Sequence, residues 1–254
     1  MKLVIGRRQP ALFAIAGLAV MLVPYAVAAP HSWDAILTDR GRPDADKARD
    51  PDRKPADMLT FAKVRSGETI VDFLPGKGYF TRLFSLGVGP RGTVYAVTPQ
   101  IYLDRAKGRP LPPPVSGEPG RGNVHELVAT AESFSLPKKA DLVWTSQNYH
   151  DVHIWLGAAG TAALNKAVFD ALKPGGHYVI LDHAGAAGLD DAGMAKMHRI
   201  DEALVKSEVT KAGFVADGES DVLRNPGDPH SQNVFDPSIR GKTDQFILRF
   251  RKPG

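Results

Sequence analysis

The sequence predicts an α/β fold: one seven-stranded, mostly parallel sheet with helices on both faces and an antiparallel last strand. Three observations predict it. Short runs rich in β-branched and aromatic residues alternate with segments of helical spacing from Thr69 onward. The first run opens onto a glycine turn, Pro75-Gly76-Lys77-Gly78, followed by Tyr79, Phe80, Leu83, Phe84 and Leu86 at helical spacing. The last two runs have no helical segment between them, which calls for antiparallel pairing.

The chain of 254 residues opens with Lys2, Arg7 and Arg8, an apolar run Ala11–Val23, Pro24, and small residues at Ala26 and Ala28. This pattern predicts a signal peptide over residues 1–28, cleaved after Ala28, and hence a periplasmic or secreted protein with no stable membrane anchor after cleavage. The leader also explains the charge. Taking its three basic residues from the 32 leaves 29 against 28 acids, a net charge of +1 in place of +4. The high pI is therefore no signature of a nucleic-acid partner. There is no cysteine, so neither disulfides nor thiolate metal sites hold this chain together.

Residues 29–55 are charged and form an arm over the domain or a linker to it. The domain proper spans 56–254. Ala56–Val64 is a short helix with Pro55 in its first turn. The first strand, from Thr69 to Leu74, carries Asp72; the helix after the glycine turn follows it. Thr93–Val97 is the second strand and Ile101–Lys107 a brief helix. Arg109–Gly122 holds five prolines and reads as a stiff surface loop. Val124–Ala129 and Asp141–Thr145 are the third and fourth strands. Val152–Leu172 is a long helix, stopped by Lys173-Pro174-Gly175-Gly176, and His177–Leu181 is the fifth strand. Asp190–Ala212 is read as one helix. Phe214–Val222, twisted or bulged at Gly218, and Asp244–Phe250 complete the sheet. The long loop between them overhangs the edge that carries the glycine turn.

In order and spacing, four of these segments resemble a class I S-adenosylmethionine-dependent methyltransferase. They are Val71-Asp72-Phe73-Leu74-Pro75-Gly76-Lys77-Gly78, Gly92–Val97, Asp141-Leu142-Val143-Trp144, and Ala171–Asp182 with its Leu-Lys-Pro-Gly-Gly element. More narrowly, the Asn148-Tyr149-His150-Asp151 element is similar to that of a group of exported bacterial proteins known as predicted methyltransferases. The resemblance implies a Rossmann-like fold, S-adenosyl-L-methionine as cofactor, and methyl transfer to a small-molecule acceptor. It implies that Asp72, Gly76 and Gly78 hold the amino-acid end of the cofactor and Thr98 the ribose. Ala131 and Glu132 would lie by the adenine and Ser146 by the methyl-bearing centre. Leu74 stands where the family has its first glycine, and Thr98 where it has an acid.

Methyl transfer needs an acceptor held in line and a group to take its proton. His150 and Asp151 are the candidate catalytic residues, with helix capping the alternative for Asp151. His150 and His153 share a helix face, and Asp182 or His183 lies within reach of it, but no recognised zinc spacing is completed and no metal site is assigned. His198 and Asp201 read as a polar pair on one helix. Two other functions remain open: a non-catalytic ligand-binding protein on the same fold, and a metal-dependent hydrolase using His150, His153 and His183. A nicotinamide-dependent oxidoreductase ranks below both, because the glycine turn lacks the dinucleotide spacing. Oligomeric state is not readable.

Overall fold

The computed structural model describes residues 32–130 and 135–254, and Trp33–Gly254 forms one compact unit. The leader and the candidates Ala131 and Glu132 lie outside the described residues. The seven strands are β1 (Thr69–Phe73), β2 (Thr93–Pro99), β3 (Val124–Ala129), β4 (Ala140–Ser146), β5 (Leu172–His183), β6 (Val215–Ser220) and β7 (Gln245–Arg251). They are ordered β3-β2-β1-β4-β5-β7-β6, with β7 antiparallel to both its neighbours and all other pairs parallel. The order reverses between β1 and β4, where open α/β sheets bind ligands beyond the strand ends.

Period-two alternation builds the core. Val71, Phe73, Val97, Val143, Ile180 and Leu248 pack on one face; Ile70, Val94, Leu142, Trp144, Leu181 and Ile247 pack on the other. Helix α5 (Tyr79–Val88) lies against the second set through Phe80 and Phe84, whose rings meet Trp144 at 4.6 and 5.6 Å. Among the described residues, four short helices precede β1: α1 (Asp34–Leu37), α2 (Asp44–Lys47), α3 (Asp50–Arg53) and α4 (Pro55–Phe61). Arg42 is buried and forms a two-pronged pair with Asp50, and Tyr79 donates its hydroxyl to the same carboxylate at 2.6 Å. Helix α6 (Gln100–Ala106) follows β2. Among the described residues, no helix is long and apolar enough to cross a membrane.

Two helices depart from the sequence pattern. The helix expected from Val152 starts earlier, as α7 (Tyr149–Ala171), and is interrupted at Gly157, whose φ of 67° and ψ of −178° suit only glycine. The segment Asp190–Ala212 is two helices, α8 (Asp191–Met197) and α9 (Glu202–Lys211). Local capping wins over continuation. Asp201 accepts the Ala203 N–H at 2.8 Å and starts α9 afresh, while His198 at φ 53° ends α8. Between them Ile200 bridges to Ala184 beyond the end of β5. The fifth strand also starts earlier than His177, at Leu172, with a register shift opposite Ala140 and Leu142. The bulge expected at Gly218 is present, between Ala216 and Gly218.

The loop joining β6 to β7 is anchored by Arg199, whose guanidinium lies 2.8 Å from Asp228 with both side chains fully buried. Asp228 also accepts the Asp244 N–H at 2.7 Å. Removing one partner strands a buried charge. Asp228→Ala is therefore expected to lower stability by about 3–5 kcal/mol, read as a fall in the urea midpoint at unchanged slope.

Candidate functional site

Two cavities flank the glycine turn at the C-terminal edge of the sheet, and both are walled by Leu74, Pro75, Gly76 and Asn148. The first, about 430 Å³, lies over the ends of β2 and β3 and is lined by Thr98, Tyr102, Glu126 and the proline-rich segment Leu111–Val115. The second, about 670 Å³, lies over β1, β4 and β5. Asp72, Ser146, His183 and Gln245 come to it from the strands, and Phe235 and Arg240 from the β6–β7 loop. Both volumes suit small-molecule ligands.

The turn itself is unusual. Leu74 adopts φ 58°, a left-handed conformation that disfavours a side chain by about 1–2 kcal/mol. Its N–H donates to Val97 at 2.9 Å, and its carbonyl accepts from the Asn148 side chain at 3.0 Å. Asn148 is also the residue before the first turn of α7, so it locks the turn to that helix. Gly76 has φ 57° and open space where a side chain would project. Gly78 is closed instead: a Cβ there would meet Val115 at 2.3 Å.

Asp72 is buried and accepts the Thr81 hydroxyl at 2.6 Å. Burial pushes its carboxyl up to about 7. Arg53 faces the same cavity from α3 and donates to Gln147 at 3.0 Å. It lies over the rings of Tyr79 and Phe80 at 4.9 and 5.5 Å. Burial, and next its neighbour Arg49, lower it to about 10. Ser146 presents a buried hydroxyl with no hydrogen-bond partner.

His150 and Asp151 are placed differently from the sequence expectation: neither lines these cavities. Asp182 holds the His150 ring, with Nδ1 2.7 Å from its Oδ1, and accepts the His150 backbone N–H at 2.8 Å. Burial acts against charge on both groups, yet their mutual attraction leaves His150 above and Asp182 below the ordinary value. Asp151 does not cap α7; Asn148 occupies that place, without a side-chain cap. Strand alternation separates Asp182 from His183. Asp182 turns to α7, while His183 lines the second cavity with Nδ1 2.8 Å from the Thr243 hydroxyl. Burial lowers His183 to about 4, so it is neutral in the physiological range.

The set His150, His153 and His183 is not assembled as one ligand group. His153 points away, its Nδ1 3.0 Å from Glu208 and its Nε2 3.5 Å from Asp191. His198 and Asp201 are not a pair either; the helix break sends His198 to Asp151 and leaves Asp201 as a cap. The sequence reading missed Arg49 and Arg53, which sit four apart in the charged N-terminal segment, a spacing that puts both on one helical face. It also missed Glu126 on β3 and the proline-rich wall of the first cavity.

No protein-family model matches this sequence, and no curated protein matches it significantly. Solved structures do. A SAM-dependent methyltransferase from Aquifex aeolicus is similar with a TM-score of 0.51 and 19% identity, over 82% of this chain and 96% of that one. The chain has a class I methyltransferase fold. The glycopeptide N-methyltransferase MtfA, solved with S-adenosyl-L-methionine, is similar with a TM-score of 0.50 and 15% identity, over 79% of this chain and 87% of that one. The [4+2]-cyclase SpnF shares the fold as well, with a TM-score of 0.53 and 17% identity over 80% of each chain.

Asp72 gives this site a pH signature. Its folded value of about 7 lies above the ordinary 3.8, so it favours the folded state fully below 3.8. That contribution is lost as pH rises through about 7. The stability difference between the native chain and Asp72→Asn is expected to fall across this window, measured by chemical denaturation at a series of pH values. Parallel stability curves would exclude the shift.

Proposed function

We propose that this protein is an S-adenosyl-L-methionine-dependent methyltransferase acting on a small molecule, exported by its leader to the periplasm or beyond. Because the fold also belongs to a cyclase, the reading rests on the site. The observation that carries it is the pair of cavities joined at Gly76, where an open glycine cradle faces the ligand space beside an unpartnered Ser146 hydroxyl.

The residues present fit the cofactor. Thr98 and Glu126 offer a hydroxyl and a carboxylate to the ribose end, and Tyr102 and Leu127 an apolar wall to the base. Asp72, Arg53 and the Gly76 backbone serve the amino-acid end, and Ser146 lines the same cavity from the end of β4. Bound there, S-adenosyl-L-methionine supplies a methyl group activated on a sulfonium.

The remainder of the second cavity takes the acceptor, among Gln147, His183, Gln245, Phe235 and Arg240. His183 is a titratable base facing that space from the β5 side. In the neutral tautomer whose Nδ1–H donates to Thr243, Nε2 is the atom that receives the acceptor proton. His150 and Asp151 stand one layer behind as positioning residues. His150 acts through Asp182, which also accepts the His183 N–H at 2.7 Å.

Calorimetric titration with S-adenosyl-L-methionine and S-adenosylhomocysteine tests the reading. Micromolar binding of both is expected, and Gly76→Val, whose side chain would fill the cradle, should weaken each by about 100-fold, some 2.7 kcal/mol. Failure of folded native protein to bind either ligand would overturn the proposal.

A further inference from the structure

We propose that His150, Asp151 and His198 form a binding site for a divalent transition-metal ion. The three residues come from two places in the chain. His150 and Asp151 are adjacent in the first turn of α7; His198 arrives through the break between α8 and α9. One ligand atom from each lies within 4.8 Å of the others.

The two separations from Asp151 are those of ligands, not of hydrogen bonds. Asp151 Oδ1 is 3.6 Å from His150 Nε2 and 3.5 Å from His198 Nδ1. Both separations exceed the roughly 2.7–3.2 Å of an N–H···O bond. Two donors about 2.1 Å from one tetrahedral ion stand about 3.4 Å apart. The His198 Nδ1 is buried and has no hydrogen-bond partner, an unmet demand that an ion would satisfy.

The surroundings are those of a metal centre. His150 is fixed from behind by the Asp182 carboxylate at Nδ1, the outer-shell arrangement that orients a ligating imidazole and directs its Nε2 lone pair forward. Asp182 is itself held by the backbone N–H groups of His150 and His183. Asp151 and Asp182 together balance a dication. Asp151 and His198 are partly exposed, so an ion has a path in. Two imidazoles and one carboxylate favour zinc or a neighbouring first-row ion over calcium or magnesium, and three protein ligands leave a coordination position open. Phe235 packs edge-on against the His198 ring at 5.0 Å and also lines the second cavity, so the centre sits one side chain from the acceptor space.

The proposal stands apart from the methyl-transfer reading, since zinc binding is measured with no sulfonium ligand present. The full chain, stripped of metal by a chelator and dialysed, is titrated with Zn²⁺ by calorimetry, with Ca²⁺ and Mg²⁺ as controls. One equivalent of Zn²⁺ is expected to bind with micromolar or tighter affinity, and neither control ion comparably. Asp151→Ala should weaken Zn²⁺ at least about 100-fold, beyond the roughly 10–100-fold expected for the outer-shell change Asp182→Asn. His198→Asn, chosen because asparagine tolerates the left-handed backbone, should lose binding similarly while keeping the native circular dichroism. No Zn²⁺ binding by the native chain, or unchanged affinity in folded Asp151→Ala and His198→Asn, would overturn the proposal.

Discussion

The carboxylate of Asp182 is fully buried, and the functional edge of the sheet depends on how it is satisfied. Removing a charged carboxylate from water is costly unless it is paired and hydrogen-bonded. Asp182 is both: it accepts the His150 and His183 backbone N–H groups and meets the His150 ring. Those contacts tie the end of β5 to the first turn of α7. They also fix which way the His150 ring faces. Asp182 is thus an electrostatic pin, and its burial strengthens its hold on His150 because the local dielectric is low.

A second constraint comes from Leu74. The chain must turn sharply after Phe73 to place Gly76 at the cavities, and leucine is a poor residue for that turn. Asn148 compensates by donating to the Leu74 carbonyl from the start of α7. One helix thus steadies the glycine turn through Asn148 and receives Asp182 through His150, two residues later. The turn, the helix start and the end of β5 form a connected polar frame around the second cavity. The N-terminal segment closes that cavity through Arg53, whose guanidinium rests on Tyr79 while Asp50 ties Tyr79 to Arg42.

How legible the molecule was in its sequence follows from the range of the forces involved. The strands were readable because alternation is local: Phe246, Leu248 and Phe250 share a face whatever the partner strand is. The antiparallel end of the sheet followed from the missing crossover helix. The helix broken at His198 was not readable, because the stretch has helical spacing and its break is set by Asp201 capping and by Arg199 reaching Asp228, 29 residues away. The same break delivers His198 to Asp151 and leaves Asp201 as a cap, so the single helix and the His198–Asp201 pair expected from the sequence fail for one reason. Strand alternation did hold a usable clue. Neighbours in a strand face opposite ways, so Asp182 turns to α7 while His183 lines the second cavity. Arg53 and the proline-rich wall lay in segments whose composition signals surface, and only tertiary contact shows that they border a cavity.

Glu126 bears on the place where this chain departs from the methyltransferase pattern. Thr98 ends β2 without the expected acid, and a hydroxyl cannot give a ribose the paired acceptors of a carboxylate. On the neighbouring strand, Glu126 lies opposite Ala96 and Val128 opposite Thr98, and all four line the first cavity. The negative charge missing from β2 is therefore present one strand over, on the same face and within the same wall. Its Oε1 accepts the Ser116 N–H at 2.9 Å, which couples it to the loop that roofs the cavity. A carboxylate carried on β3 and braced through Oε1 by that loop keeps its second oxygen free to accept from a ligand. Recognition at this end of the site is then a property of strand and loop together, which gives the proline-rich segment a physical reason to be stiff.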